Sequence, residues 1–502
     1  MIFSTYKFIL IFLPVVLLGF RILIKFEGRR QQSHALAAKL WLCAASLFFY
    51  AQGSLSFLPF FLFTLVFNFA AGSILNKPDF RTAERTGALG DEAASGSAPY
   101  GIAPGGALGG VLARHKNIVF FIALAENIGL LAYFKYTDFF LENVNRFAGT
   151  AFPSPEISLP LGISFFTFNI ISYIVDSKRG KAGAYTFVDY ITFVTFFPHL
   201  IMGPIVKHKD FIGQLGNEDN FKFDTGNVCL AIFLFSVGCA KKVIIADPLI
   251  AYAAAYYADP AAGGFLEAWT GTLSYTLAYY FDFSGYGDMA IALGLLFGIR
   301  LPVNFNSPYK ARNFVDFWRR WNMTLTGFLN EYIFNSVYRF GQRAGKLFIG
   351  VMVTFLVSGI WHGAGWNFIL WGVVNGIFVF TGMLMILHNK EFPAPISHIL
   401  TLAGVLLTRV LFDSHSLSGA ALTLRSMIDI AALSGTAAFG KANIETLVLI
   451  FAGILIVFFT KNAWELAEEF KPDMRHAVWA AALLTLSLFF MTNVSSFLYF
   501  QF

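Results

Sequence analysis

The chain is 502 residues long, with 57% hydrophobic and only 13% charged residues, about half the charged share of an ordinary soluble protein. So few charges cannot cover a water-soluble surface of this size, and the long apolar runs select helices, because lipid offers an open backbone no hydrogen-bond partner. The net charge of +6 is modest and scattered through short loops, which reads as an orientation signal and a contact for anionic membrane lipid rather than a nucleic-acid footprint.

The expected fold class is an all-α polytopic integral membrane protein, with residues 1–502 forming a single bundle. From Lys7 the sequence FILIFLPVVLLGF runs into RILIKF without a small-residue cleavage site, so it predicts a retained first span. At about 20 residues per crossing, spans are expected near 8–24, 38–52, 55–75, 117–135 and 159–175. Later ones are expected near 227–245, 268–298, 345–361, 364–387, 397–412, 445–460 and 477–492.

Between the third and fourth spans lies Lys77 to Lys116, rich in Gly, Ala and Ser. It reads as a flexible cytoplasmic loop, either a tolerated insertion or a docking segment. The run FFPHLIMGPI, Phe196 to Ile205, carries two prolines and a glycine and suits a re-entrant segment lining a cavity. Basic stretches at Lys25–Lys39 and Asp176–Lys181 face the cytoplasm by the positive-inside rule, which puts the N-terminus outside. Cys43, Cys229 and Cys239 lie in apolar stretches without metal or disulfide spacing, so no metal site is expected.

Ionisable groups inside a membrane are costly, and they mark function by default. Two places stand out. One is YFDFSGYGDMAIALG (Tyr280 to Gly294), with Asp282 and Asp288, followed by Asn304 to Phe334. The other is VSGIWHGAGWNFILWGVVNG, Val357 to Gly376, where His362 sits in a strongly apolar run flanked by Gly359, Trp361, Gly363 and Gly365. A neutral imidazole there is a natural base for an alcohol proton. The alternative is a packed histidine in a glycine-mediated helix contact.

DFWRRWN (Asp316 to Asn322) followed by GIWHG (Gly359 to Gly363) resembles the paired signature of the membrane-bound O-acyltransferase superfamily, and within it the alginate O-acetyltransferase membrane-subunit branch. Further similar stretches are LPLGISFFTFNIISYIVDSKRG, FFPHLIMGPIVKHKDF, KKVIIAD, FSGYGDMAIALG, NFNSPY and the tail FLYFQF, with the strongest likeness over about 159–380. The resemblance implies a multi-helix bundle around a central tunnel, with an acyl thioester, acetyl-CoA, arriving at one mouth and no bound cofactor. At the other mouth it implies a polysaccharide acceptor or a separate extracytoplasmic acetyltransferase partner, across a bacterial inner membrane.

Carried over to this sequence, His362 matches the family histidine and Asn322 takes the second catalytic position. The alginate branch usually reads RRWH there, so Asn322 is a departure. An amide cannot act as a base, but it can donate a hydrogen bond to a developing oxyanion; a packing role and a loss of activity are the alternatives. Arg319 and Arg320, with Lys310 and Arg312, suit the phosphates of coenzyme A or membrane anchoring. Trp361, Asp282 and Asp288 are candidates for the substrate path, and the two aspartates for pairing with those cations. D-alanyl transfer to teichoic acid, lipid acylation and a non-catalytic transport or scaffold role remain the competing functions.

Overall fold

The computed structural model describes residues 1–29, 35–77, 115–431, 444–491 and 498. Among these the regular structure is helical, with no strand. Among the described residues, seven helical stretches are long and apolar enough to cross a membrane: Phe8–Glu27, Leu36–Leu75, Lys116–Ala148, Thr225–Ala258, Ala344–His362, Trp366–Leu387 and Ala394–Asp413. Ile444–Phe459 and Met474–Phe490 are shorter apolar helices. The protein is a multi-pass, all-α membrane protein. The expected loop Lys77 to Lys116 falls, from 78 to 114, outside the described residues, as does most of the tail FLYFQF.

By internal contacts the chain divides into two compact units, one of Lys7–Asp224 with Gly294–Leu301, the other of Ile2–Tyr6, Thr225–Leu293 and Pro302–Phe502. In the first unit, one group of polar side chains inside apolar helices pairs locally, as a medium without water favours. Glu126 accepts from Thr64 Oγ1 at 3.1 Å and Asn68 Nδ2 at 3.0 Å, and Asn127 Nδ2 donates to Asn68 Oδ1 at 2.7 Å. Lys39 pairs with Asp189 at 2.8 Å.

The suspected re-entrant stretch is broken as its prolines demand. The helix Phe187–Thr195 stops at Phe196, a four-residue helix Phe197–Leu200 follows, and non-helical backbone continues to Val206. Everything from Thr192 to Val206 is buried, so irregular backbone is enclosed by protein. His199 packs among Phe193, Phe196 and Phe211. His208 lies between Asp176, at 3.2 Å from Nε2, and the Tyr185 hydroxyl, at 2.8 Å from Nδ1. His199 is thereby held by ring packing and His208 by hydrogen bonds.

The second unit carries both polar sequence blocks. Its long helix Phe265–Leu296 crosses Thr225–Ala240 where glycine meets glycine: a methyl group on Gly238 would lie 2.5 Å from the Gly285 carbonyl oxygen. Only the missing side chains permit that approach. Beside it Lys242, fully buried, sits 2.7 Å from Asp282 and 2.8 Å from Asp247, while Lys241 reaches Asp288 at 2.6 Å. The Leu498 amide also donates to Asp282, at 2.9 Å. The aspartates thus pair with the KKVIIAD lysines and not with the cations of the FWRRWN block. Charges out of water persist only when so matched.

Candidate active site

His362 is the last residue of the helix Ala344–His362, and the next helix, Trp366–Leu387, starts after the Gly363–Gly365 link. The two helices pack as a tight hairpin. A methyl group on Gly359 would lie 2.4 Å from the Phe368 carbonyl oxygen, and one on Gly372 2.5 Å from that of Phe355. Small residues bring the backbones together and hold the histidine against the second helix. The buried imidazole stands edge-on to Trp361, Trp371 and Phe412, at 4.8, 5.2 and 5.1 Å between ring centres.

The asparagine is held by its backbone. Asn313 caps the short helix Phe314–Arg320, accepting from the Asp316 amide at 2.8 Å. The chain then turns through Asn322 in the left-handed region (φ 43, ψ 56) and re-enters a helix at Met323–Leu329. Among non-glycine residues, Asn, Asp and His adopt this conformation most readily. NFNSPY forms a strap across the turn: the Asn306 amide donates to the Arg320 carbonyl at 3.0 Å, and the Met323 amide to that of Asn304 at 2.9 Å. Asn304 Oδ1 also accepts from the Thr324 hydroxyl at 2.6 Å.

His362 and Asn322 line one cavity of about 140 Å³, together with Trp318, Arg319, Trp321 and Asn330 at its polar parts. By the water-sized standard, about 10–15 Å³ per molecule, this space holds an extended small ligand. A second cavity of about 40 Å³ is walled by Tyr279, Tyr309, Trp371, Arg409 and Phe412. His362, Trp318 and Trp321 line both. The imidazole therefore stands at a partition, with a larger, mostly apolar space on one side and a small aromatic one on the other.

The other sequence candidates are distributed unevenly. Arg319 is exposed and lines the larger cavity. Arg320 instead turns back to Asp316 at 2.8 Å and to the Asn306 carbonyl at 3.4 Å, bracing the strap. Trp361 packs on His362 without lining either cavity, and Asp282 and Asp288 lie in their ion pairs outside both linings. Lys310 donates to the Thr460 carbonyl at 2.7 Å.

Sequence reasoning passed over Arg409, which forks onto Asp413 and stacks 3.6 Å from the centre of the Tyr279 ring and 4.7 Å from that of Phe412. It thereby clamps a ring that touches His362. A charge inside the apolar run LAGVLLTRVLFD was the available signal. Asn304 was visible only as part of a motif.

The family model for membrane-bound O-acyltransferases matches residues 122–407, more than half of the chain, with Asn322 and His362 inside the match. The chain belongs to the membrane-bound O-acyltransferase family. Over its full length, and 98% of the relative's, this O-acyltransferase is 32% identical to a peptidoglycan O-acetyltransferase of Helicobacter pylori. It is also 32% identical to a probable alginate O-acetylase of Pseudomonas aeruginosa, over 91% of this chain and 81% of that one. A teichoic acid D-alanyltransferase of Streptococcus thermophilus is 28% identical over 43% of the chain.

Proposed function

We propose that this membrane-bound O-acyltransferase takes an acetyl group from acetyl-CoA and passes it toward hydroxyl groups of a cell-envelope polysaccharide, from a site in the bacterial inner membrane. The observation that carries the reading is the shared cavity: His362, at an apolar helix end, and Asn322, buried with a left-handed backbone, line the same space. The thioester enters the larger cavity with Arg319 at its polar wall. His362 accepts the proton of the attacking hydroxyl, and the Asn322 amide donates to the carbonyl oxygen as it becomes anionic.

Likeness along nearly the whole length to a peptidoglycan O-acetyltransferase supports peptidoglycan as the acceptor. The small volume on the far side of His362 suits a single hydroxyl-bearing group, not a whole glycan chain, which supports a separate extracytoplasmic acetyltransferase as the partner that completes delivery.

The test is reconstitution in lipid bilayers with labelled acetyl-CoA. Label is expected on peptidoglycan when a separate extracytoplasmic acetyltransferase is supplied, and none is expected with His362→Ala. Acetyl transfer that persists at the parent rate in His362→Ala overturns the assignment.

A further inference from the structure

We propose that Trp318 is a second catalytic hydrogen-bond donor, its indole Nε1–H binding the acyl carbonyl oxygen opposite the Asn322 amide. The inference rests on the acyl-transfer reading of the His362 site and supplies a group that reading lacks.

Trp318 is one of three residues, with His362 and Trp321, that line both cavities. It is therefore at the partition where donor and acceptor must meet. An indole nitrogen is a donor only, and buried tryptophan N–H groups ordinarily find an acceptor. That of Trp318 is buried and has no acceptor among the described residues. Other indoles of this chain follow the rule: Trp41 Nε1 donates to the Val16 carbonyl at 2.9 Å and Trp269 Nε1 to that of Met427 at 3.0 Å. An orphaned donor is a costly feature to keep unless the ligand completes it.

The ring is also fixed before substrate arrives. It stands edge-on to Phe355 at 5.5 Å and to Trp371 at 5.6 Å, and its carbonyl accepts from the Thr326 hydroxyl at 3.1 Å. Trp371 is the same ring that faces His362 at 5.2 Å. Base and donor are thus registered on one common wall. A donor held in this way costs no reorganisation when charge develops.

The step balances without any further reagent. The acceptor oxygen bonds to the acyl carbon as its proton passes to His362, and the carbonyl π pair moves onto the oxygen held by Trp318 and Asn322. Collapse of that oxyanion breaks the carbon–sulfur bond, and the departing thiolate takes the proton from His362. The products are the ester and free coenzyme A thiol.

The experiment replaces Trp318 with benzothienylalanine, in which sulfur stands for the N–H with the ring outline kept, alongside Trp318→Phe and Trp318→His. Each is reconstituted with labelled acetyl-CoA, and kcat, KM for acetyl-CoA and thermal unfolding are measured. The benzothienyl variant and Trp318→Phe are expected to lose about 10²-fold in kcat at unchanged KM, as removal of one oxyanion donor does elsewhere. Trp318→His, which keeps an N–H, is expected to recover part of that loss. Parent-level kcat in the benzothienyl variant, or equal losses in the Phe and His variants, overturns the donor role while leaving the His362 reading intact. A parent protein without His362-dependent transfer overturns that reading and this one together.

Discussion

Replacing Asn322 with aspartate separates the two tasks proposed for this position. The backbone there is left-handed, with φ 43 and ψ 56, and aspartate tolerates that region about as well as asparagine does. The fold should therefore persist while the side-chain N–H is lost and a negative charge is set where negative charge develops. Loss of one oxyanion donor costs on the order of 10² to 10³ in kcat, roughly 3–4 kcal/mol, and Asn322→Asp is expected to lose at least that.

Two companions isolate the backbone term. Asn322→Gly removes the amide but enters the left-handed region freely, whereas Asn322→Ala removes it and adds about 1–2 kcal/mol of conformational strain. Both should share the rate loss, and only alanine should also lower the unfolding temperature. Asn322→His restores a donor in a residue suited to the same conformation, so partial to full activity is expected. Labelled acetyl transfer in bilayers, run beside thermal unfolding, provides the assay. Parent-level turnover in the Asp and Gly variants refutes the donor role, as does a silent parent that gains activity through Asn322→His.

His362→Ala should abolish acetyl transfer with expression and unfolding temperature near the parent's, which separates lost chemistry from lost folding. Lys242→Met should destabilise by about 3–5 kcal/mol, because it leaves two buried carboxylates uncompensated; adding Asp247→Asn and Asp282→Asn should restore much of that, measured as unfolding temperature in detergent. Gly359→Val should destabilise by about 1–3 kcal/mol or more, since the first added carbon already meets the Phe368 carbonyl, and unchanged stability would contradict the close hairpin. Single cysteines placed in Lys25–Lys39 and Lys77–Lys116 should label only from the cytoplasmic side, and periplasmic labelling of either would reverse the orientation.

The helical spans were legible because hydropathy along one chain reports burial in lipid directly: runs expected near 345–361 and 364–387 occur as Ala344–His362 and Trp366–Leu387. The helix Lys116–Ala148 continues well past the expected crossing, through Asp138 and Glu142. What ends it is the left-handed Gly149 (φ 66), a local signal independent of hydropathy. The 159–175 run begins its helix only at Ile163, after Pro160 and left-handed Gly162. His362 and Asn322 were readable as polar residues in named motifs. Partner choice was not: nothing local tells Asp282 to prefer Lys242 over an arginine of the FWRRWN block, because the pairing is set by where two glycines let two helices touch. Likewise Arg319 and Arg320 are adjacent in sequence, yet one lines a cavity and the other braces a strap.

That strap has a consequence for how the site can change. Because Asn304 and Asn306 grip the chain through the backbone on either side of Trp321 and Asn322, the position of the Asn322 Cα does not depend on what its side chain bonds to. Residue 322 behaves as a socket, into which any side chain tolerant of a left-handed backbone can be fitted without rebuilding the wall around it. On the proposed role of Asn322, an amide and an imidazole would then be exchangeable on one mount, and altering the reagent would be a smaller step than altering the frame.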